Sequence, residues 1–138
     1  YNTVGKNEEA EKLLRNVLKM QPELWEAYYS LGLLLAEMGD FESAAEALEV
    51  AADQLNSPRI WYNLGLIYSQ VRKTQAAEES LIKAYTLQPD NIDFMYALIN
   101  HYIQRENYAE AKKYAGYMLN LYPDVPEVMQ LHQQIQAL

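Results

Sequence analysis

Apolar residues in this chain recur at helical spacing, most clearly in residues 61–68. Four of them fall at i, i+3, i+4 and i+7, which is one face of an α-helix: Trp61, Leu64, Gly65 and Tyr68. Glycine inside a helix costs about 1 kcal/mol relative to alanine, so Gly65 predicts that a second helix approaches closely at this point. A second apolar stripe follows at Ala77, Leu81 and Ala84. The run therefore predicts two helices joined in a hairpin.

The hairpin pattern repeats along the chain at a nearly constant period. Shifted back by 33, the pair Leu64-Gly65 corresponds to Leu31-Gly32, and shifted forward by 34 it corresponds to Leu98-Ile99. The pattern W-x2-L-G-x2-Y, then A-x3 and a large apolar residue, then a closing proline resembles the tetratricopeptide repeat. The resemblance implies an all-α fold, a right-handed α-solenoid of helix–turn–helix repeats. It also implies a non-catalytic scaffold for protein–protein interaction.

The repeat divides the chain into a single array with five parts. They are a partial repeat at 1–24, full repeats at 25–57, 58–91 and 92–125, and a C-terminal capping helix at 126–138. In the partial repeat we predict that Tyr1 ends a first helix and that Gly5-Lys6-Asn7 forms a turn, and we expect further repeats or another domain upstream. The glutamine-rich face of the last helix is typical of the end of a solenoid, which needs a polar outer face.

The repeat at 92–125 departs most from the pattern. Ile99 stands at the position of the glycine, and Ala115 stands where Leu48 and Leu81 stand in the earlier repeats. This exchange moves bulk from one helix to its partner and conserves volume, which a core tolerates. We expect the hairpin to form with an altered separation between its helices.

Composition excludes several kinds of protein. The 138 residues include no cysteine, and the formal net charge is −8. The first fact excludes disulfides and cysteine-based metal sites or nucleophiles. The second argues against nucleic acid or an anionic membrane as partner. No apolar run reaches the ~20 residues of a membrane-spanning helix. We therefore expect a soluble chain, located in either the cytoplasm or the periplasm.

In proteins that the chain resembles, the first helices of the repeats line a concave groove in which partner peptides lie. The corresponding positions give a candidate partner-binding groove: Tyr29, Tyr62, Tyr96, Leu33, Leu66, Arg59, Asn63 and Asn100. Tyrosine offers a large contact area at low entropic cost, although it is common at this repeat position whatever the partner. The lysines with which heat-shock chaperone co-factors of this family grip a carboxylate are replaced by Glu26, Tyr29 and Leu33. That subclass is excluded.

An alternative surface is an acidic stripe on the second helix of the repeat at 25–57. Its members share one helical face: Glu42, Glu46, Glu49 and Asp53. The preceding second helix carries Glu8, Lys12, Arg15 and Lys19 at corresponding positions, so its stripe is mainly basic. We expect ion pairs between the two stripes, worth ~0.2–1 kcal/mol per exposed pair. The competing interpretation is a basic partner docked on the acidic stripe.

Catalytic and metal-binding groups are not indicated. His101 and His132 lie far apart along the chain, and neither has a ligand neighbour at metal-binding spacing, so each is interpreted as a packing residue. Glu78 and Glu79 point in different directions around a helix and cannot form a catalytic pair. We predict that the chain is not an enzyme and that it binds no cofactor, metal or small-molecule substrate. We expect its partner to be a protein or a peptide. The alternative function is a structural or assembly module of a larger bacterial multidomain protein, envelope-associated or appended to an enzyme.

Overall fold

A computed structural model describes residues 2–138 of the chain, with side chains from residue 5 onward. Within residues 2–138 the secondary structure consists of eight α-helices without strands. They are α1 (Asn2–Met20), α2 (Trp25–Glu37), α3 (Phe41–Leu55), α4 (Pro58–Gln70), α5 (Thr74–Leu87), α6 (Ile92–Gln104), α7 (Tyr108–Leu121) and α8 (Pro126–Gln136). The predicted all-α fold is confirmed.

Each helix packs mainly against its neighbours in the chain, which is the arrangement of a solenoid. The tightest pairs are α2 with α3, α4 with α5 and α6 with α7, and these are the predicted hairpins. Buried side chains form two core clusters, one centred on α2 to α5 and one on α6 to α8. Tyr62 packs against both clusters, and Leu81 of α5 belongs to the second.

The glycines of the first helices mark close helix–helix contacts, as predicted. A Cβ atom added at Gly65 would lie 2.7 Å from Leu81 Cγ, and one added at Gly32 would lie 2.6 Å from Leu48 Cγ. In the third hairpin Ile99 is fully buried, and Ala115 of the second helix is a small buried residue. The predicted exchange is therefore confirmed: in this hairpin the large side chain lies on the first helix and the small one on the second.

Polar side chains fix where several helices begin. Asp40 Oδ1 accepts a hydrogen bond from the backbone N–H of Ser43 at the start of α3, 3.3 Å away. Asn91 Oδ1 accepts from the N–H groups of Asp93 and Phe94 at the start of α6, at 2.9 and 3.1 Å. These caps satisfy donors that a helix terminus otherwise leaves unpaired.

The turn predicted at Gly5-Lys6-Asn7 is wrong, because all three residues lie inside α1. A Cβ atom at Gly5 would meet nothing within 4 Å, so this glycine does not mark a helix contact. The following run from Glu8 to Arg15 consists largely of strong helix formers, which extend the helix through the glycine. Tyr1, predicted to end a first helix, lies outside the described residues.

Candidate partner-binding groove

The first helices α2, α4, α6 and α8 present the predicted groove residues on a common surface, called here the groove face. Large apolar side chains remain exposed on three successive helices of this face: Leu33 at 39 %, Leu66 at 40 % and Tyr96 at 54 %. Asn100 is also exposed, on the same side of α6 as Tyr96. The groove face thus carries a row of apolar side chains without a covering layer among the described residues.

The three groove tyrosines are in different environments. The hydroxyl oxygen of Tyr29 accepts a hydrogen bond from Asn63 Nδ2 on the next first helix, at 2.9 Å. The ring of Tyr62 packs on the ring of Phe94, with 5.1 Å between centroids. Tyr29 and Tyr62 are half-buried, and each contacts the next repeat, Tyr29 through its hydroxyl and Tyr62 through its ring. Tyr96 is the member of the row whose ring is mostly free.

The contact between α4 and α6 around Tyr62 is filled by side chains, and we call it the inner junction: Arg59, Tyr62, Asp93 and Phe94. The guanidinium carbon of Arg59 lies 5.1 Å from the centroids of both the Tyr62 and Phe94 rings. A cation over an aromatic face is stabilised by the ring quadrupole. Arg59 Nη2 is also 3.9 Å from Asp93 Oδ2. Arg59, predicted to contact a partner, is therefore engaged within the array.

The equivalent contact between α6 and α8 is open, and we call it the outer junction: Asp93, Tyr96, Glu127 and Val128. One repeat further along the chain, Asp93 stands at the position of Arg59, Tyr96 at that of Tyr62 and Val128 at that of Phe94. A cavity of about 430 Å³ lies at this junction. Its walls are Ile92, Asp93, Tyr96, Met118, Glu127, Val128, Gln130, Leu131 and Gln134.

A second cavity of about 440 Å³ lies between the C-terminal halves of α4 and α6. Leu66, Ala97 and Leu81 supply apolar surface, and Asn100 and His101 supply polar groups. It lies further along the exposed face of α6 than the outer junction, since Asn100 follows Tyr96 by one helical turn. The groove face therefore holds two concave sites that share α6.

Behind this second cavity, Glu78 of α5 lies close to three side chains at the C-terminal end of α6, two within the helix and Arg105 just after it. Glu78 accepts hydrogen bonds from the Tyr102 hydroxyl at 3.1 Å and from Arg105 Nη1 at 3.0 Å. His101 Nε2 is 3.5 Å from Glu78 Oε1, is buried and makes no hydrogen bond. Burial lowers the pKa of His101 below 6.5, and this effect outweighs the opposing influence of the nearby Glu78. Burial, with Glu78 close by, raises the pKa of Tyr102 above its usual range.

Sequence reasoning placed His101 correctly as a packing residue but missed its cluster with Glu78. The two residues lie on helices of different repeats, α5 and α6. No spacing rule within one helix relates them. A comparison of equivalent repeat positions marks Glu78 as unusual. It corresponds to Ala45 in the preceding repeat and to Lys112 in the following one, neither of them acidic.

The acidic stripe is exposed along α3, as predicted: Glu42, Glu46, Glu49 and Asp53. The expected ion pairs with α1 do not form. Arg15 Nε pairs instead with Glu11 Oε2 of its own helix at 2.8 Å, and within residues 5–138 no ion pair joins α1 to α3. For Arg15 the pair within its own helix takes the place of the predicted pair with α3, since residues four apart are neighbours on a helix surface.

Neither a metal cluster nor a membrane-crossing helix stands out in the described part of the chain. Over that part, no group of three or more His, Asp or Glu side chains is arranged to hold a metal ion. Every helix there is too short or too polar to cross a bilayer.

Comparison with known proteins identifies a family. Two models described as "Tetratricopeptide repeat" match residues 3–57 and 58–91. The chain is 27 % identical over 132 residues to the bovine BBSome complex member BBS4, covering 95 % of this chain and 25 % of that protein. It is 31 % identical over 107 residues to the human protein O-mannosyl-transferase TMTC3, covering 76 % of this chain and 11 % of that protein.

A similar solved structure is the crystal structure of MamA. It superimposes with a TM-score of 0.83 at 23 % identity, covering 97 % of this chain and 79 % of that one. At this identity the likeness concerns the fold. The chain spans a quarter or less of the length of the two curated relatives, BBS4 and TMTC3.

Proposed function

Since this chain belongs to the tetratricopeptide repeat family, whose members in general are non-catalytic scaffolds that bind proteins, we propose that it binds a peptide segment of a protein partner on the groove face. The observation that carries the proposal is the row of exposed apolar side chains on α2, α4 and α6: Leu33, Leu66 and Tyr96. No catalytic role is proposed for any residue.

The row suits a peptide because of where its members lie on neighbouring first helices. Leu33 and Leu66 occupy the same repeat position, and Tyr96 lies one helical turn earlier in its own repeat. Each repeat therefore offers one apolar anchor site, and an extended segment crossing the helices meets them in succession. Burial of apolar surface contributes about 25 cal/mol per Å² removed from water. The open concave sites at α6 add depth, which a flat surface lacks.

The exposed ring makes Tyr96 the best tyrosine to probe. Tyr62 packs against both core clusters, so its truncation would affect folding and binding together. Tyr29 is hydrogen-bonded to Asn63, so its truncation would also affect folding and binding together. Tyr96 is more than half exposed, and its truncation removes contact area from the groove face with little loss of packing.

The test uses peptides selected from a random library displayed on phage, with this chain immobilised. Binding of the recovered peptides is measured by fluorescence anisotropy for the original chain, for Leu66→Ala and for Leu87→Ala. The two leucines are exposed to the same degree, 40 % and 42 %, but Leu87 lies at the end of α5, away from the groove face. We expect Leu66→Ala to weaken binding about tenfold or more, as for interface anchors, and Leu87→Ala to leave it unchanged. Equal effects of both changes would place binding elsewhere.

A second candidate is a structural or assembly module within a larger protein, bacterial and envelope-associated or joined to an enzyme. It is favoured by the length of the curated relatives, one of which is named as a member of a complex. The acidic stripe on α3 is the surface that this candidate would use for a basic partner. Selected peptides that lose binding on Glu46→Lys but not on Leu66→Ala would favour it.

A further inference from the structure

We propose that the outer junction is a binding site for an arginine side chain of the partner segment. The inference rests on the proposed function and specifies the chemistry that the groove face recognises. It concerns the cavity of about 430 Å³ between α6 and α8.

The inner junction shows how this chain accommodates an arginine at the same repeat positions. Arg59 lies over the ring of Tyr62 and of Phe94, 5.1 Å from each centroid. Its guanidinium is 3.9 Å from the carboxylate of Asp93 on the following first helix. A tyrosine face and a carboxylate one repeat further on are thus the environment of this cation.

The outer junction keeps the tyrosine and the carboxylate but lacks the cation. Tyr96 repeats Tyr62, and Glu127 repeats Asp93. The position of Arg59 is taken by Asp93, which is itself a carboxylate and lines the cavity. Val128 replaces Phe94 and leaves the space into which a long side chain fits. An arginine from a partner would restore the missing element of the arrangement.

The chemistry of the walls fits arginine throughout its length. Ile92, Val128 and Leu131 offer apolar surface to the methylene groups of the side chain. Gln130 and Gln134 line the same cavity with side-chain amides, whose carbonyl oxygens accept hydrogen bonds from N–H donors. The planar guanidinium stacks on a tyrosine ring and bonds to carboxylates in a fixed geometry, which the ammonium of lysine does less well.

An apolar occupant would use only part of these walls. It would shield the carboxylate of Glu127 from water without offering it a partner, and a charge without a partner is costly to bury. An acidic occupant would meet two like charges. The net charge of −8 adds a long-range attraction for basic segments, which salt weakens.

The test starts from a phage-displayed library of random nonapeptides selected on the original chain. We expect arginine to be enriched at one position of the selected peptides. In resynthesised peptides, replacement of that arginine by citrulline keeps the shape and removes the charge, and should weaken binding about tenfold or more. The same loss is expected for Val128→Phe, which places a ring in the cavity.

Glu127→Gln provides a variant that leaves the fold undisturbed, because Glu127 is exposed. It should weaken the arginine peptide but not its citrulline counterpart. Glu8→Gln on α1 is the matched control, since it removes the same charge from an exposed position outside the groove face, and it should change neither. Helical circular dichroism of Val128→Phe checks that its effect is not unfolding.

The outcomes separate this inference from the function on which it rests. Peptides that need Leu66 but show no arginine, and that bind Val128→Phe as well as the original chain, overturn the arginine site and leave groove binding in place. Selected peptides that are indifferent to Leu66→Ala, Tyr96→Ala and Val128→Phe overturn both. If arginine is enriched but Glu127→Gln and Glu8→Gln weaken peptide binding equally, the preference reflects the net charge of the chain, and the arginine site is overturned.

Discussion

The inner and outer junctions occupy the same positions of successive repeats, yet one is packed and the other is open. Two replacements account for the difference: Arg59 by Asp93 and Phe94 by Val128. The packed junction engages its tyrosine in an array of rings and charges, whereas the open one exposes Tyr96 beside a cavity. In a solenoid each repeat contacts its neighbours alone, so a site can be opened at one junction without disturbing the others.

The two junctions differ on their second-helix side as well. On the α4–α6 side, behind the second cavity, Glu78 of α5 accepts hydrogen bonds from Tyr102 of α6 and from Arg105, the residue that follows α6. At the equivalent place, Lys112 of α7 donates a hydrogen bond to the backbone oxygen of Leu138 beyond α8, at 3.2 Å. The hairpin of α4 and α5 is therefore joined to α6 by side chains of both its helices.

The largest expected effect comes from emptying the inner junction. Phe94 is 1 % exposed, and Phe94→Ala removes its ring from the core and from the stack with Tyr62. We expect the free energy of unfolding to fall by about 3–5 kcal/mol, measured by urea denaturation. Val128→Ala, which deletes much less volume at the equivalent position, should cost clearly less. Equal costs would show that the two junctions are packed alike.

The reverse change fills the outer junction. Val128→Phe places at α8 the side chain that α6 carries at the same position, and the cavity has room for the ring. The free energy of unfolding should change by less than about 1.5 kcal/mol, as seen by the same denaturation. Ala84→Phe, at a fully buried site, is the control and should destabilise strongly. A comparable loss for Val128→Phe would mean that the cavity cannot accept a ring.

A smaller effect is expected from the cation of the inner junction. Arg59→Met keeps much of the side-chain length but removes the charge over the rings and the pair with Asp93. Because Arg59 is 48 % exposed, we expect a loss of about 0.5–1 kcal/mol. Thermal unfolding at low and high salt measures it, and the loss should shrink at high salt. A salt-independent loss would show that the stem of Arg59 contributes by packing.

The smallest effect concerns the pH dependence of stability through His101, which lies at the second cavity. Its pKa is lowered from 6.5 by burial, so the unfolded chain takes up a proton at a higher pH than the folded chain. The free energy of unfolding should therefore fall as pH is lowered below about 6.5. His101→Gln should lack this part of the fall, so the difference between the two proteins must change between pH 7.5 and 5. A constant difference would contradict the lowered pKa.

Much of the fold could be predicted from the sequence because the repeat encodes it locally. The stripe of apolar residues defines each helix, and Gly65 with Leu81 defines a contact whose geometry the structure confirms. The turn predicted at residues 5–7 is wrong because it was inferred only from the local residue types, a glycine and an asparagine. There the helix-forming residues that follow determine the conformation.

The groove positions themselves could be assigned from the sequence, but their environments could not. Whether a groove tyrosine is covered depends on residues one repeat away, such as Asn63 for Tyr29 and Phe94 for Tyr62. These positions vary from repeat to repeat while the tyrosine does not. A pattern that describes one repeat at a time therefore treats Tyr29, Tyr62 and Tyr96 as equivalent.

The hairpin of α4 and α5 has a consequence for how the array comes apart. Residues of α4 and α5 build the first core cluster, while Leu81 belongs to the second and Tyr62 touches both. Opening either end of the array therefore leaves this hairpin still packed against the other half. Amide hydrogens near Gly65 and Leu81 should exchange last, and exchange should begin at α1 and α8, the first and last helices of the described chain. The central hairpin thus couples the two core clusters, and its loss should coincide with global unfolding of the described chain.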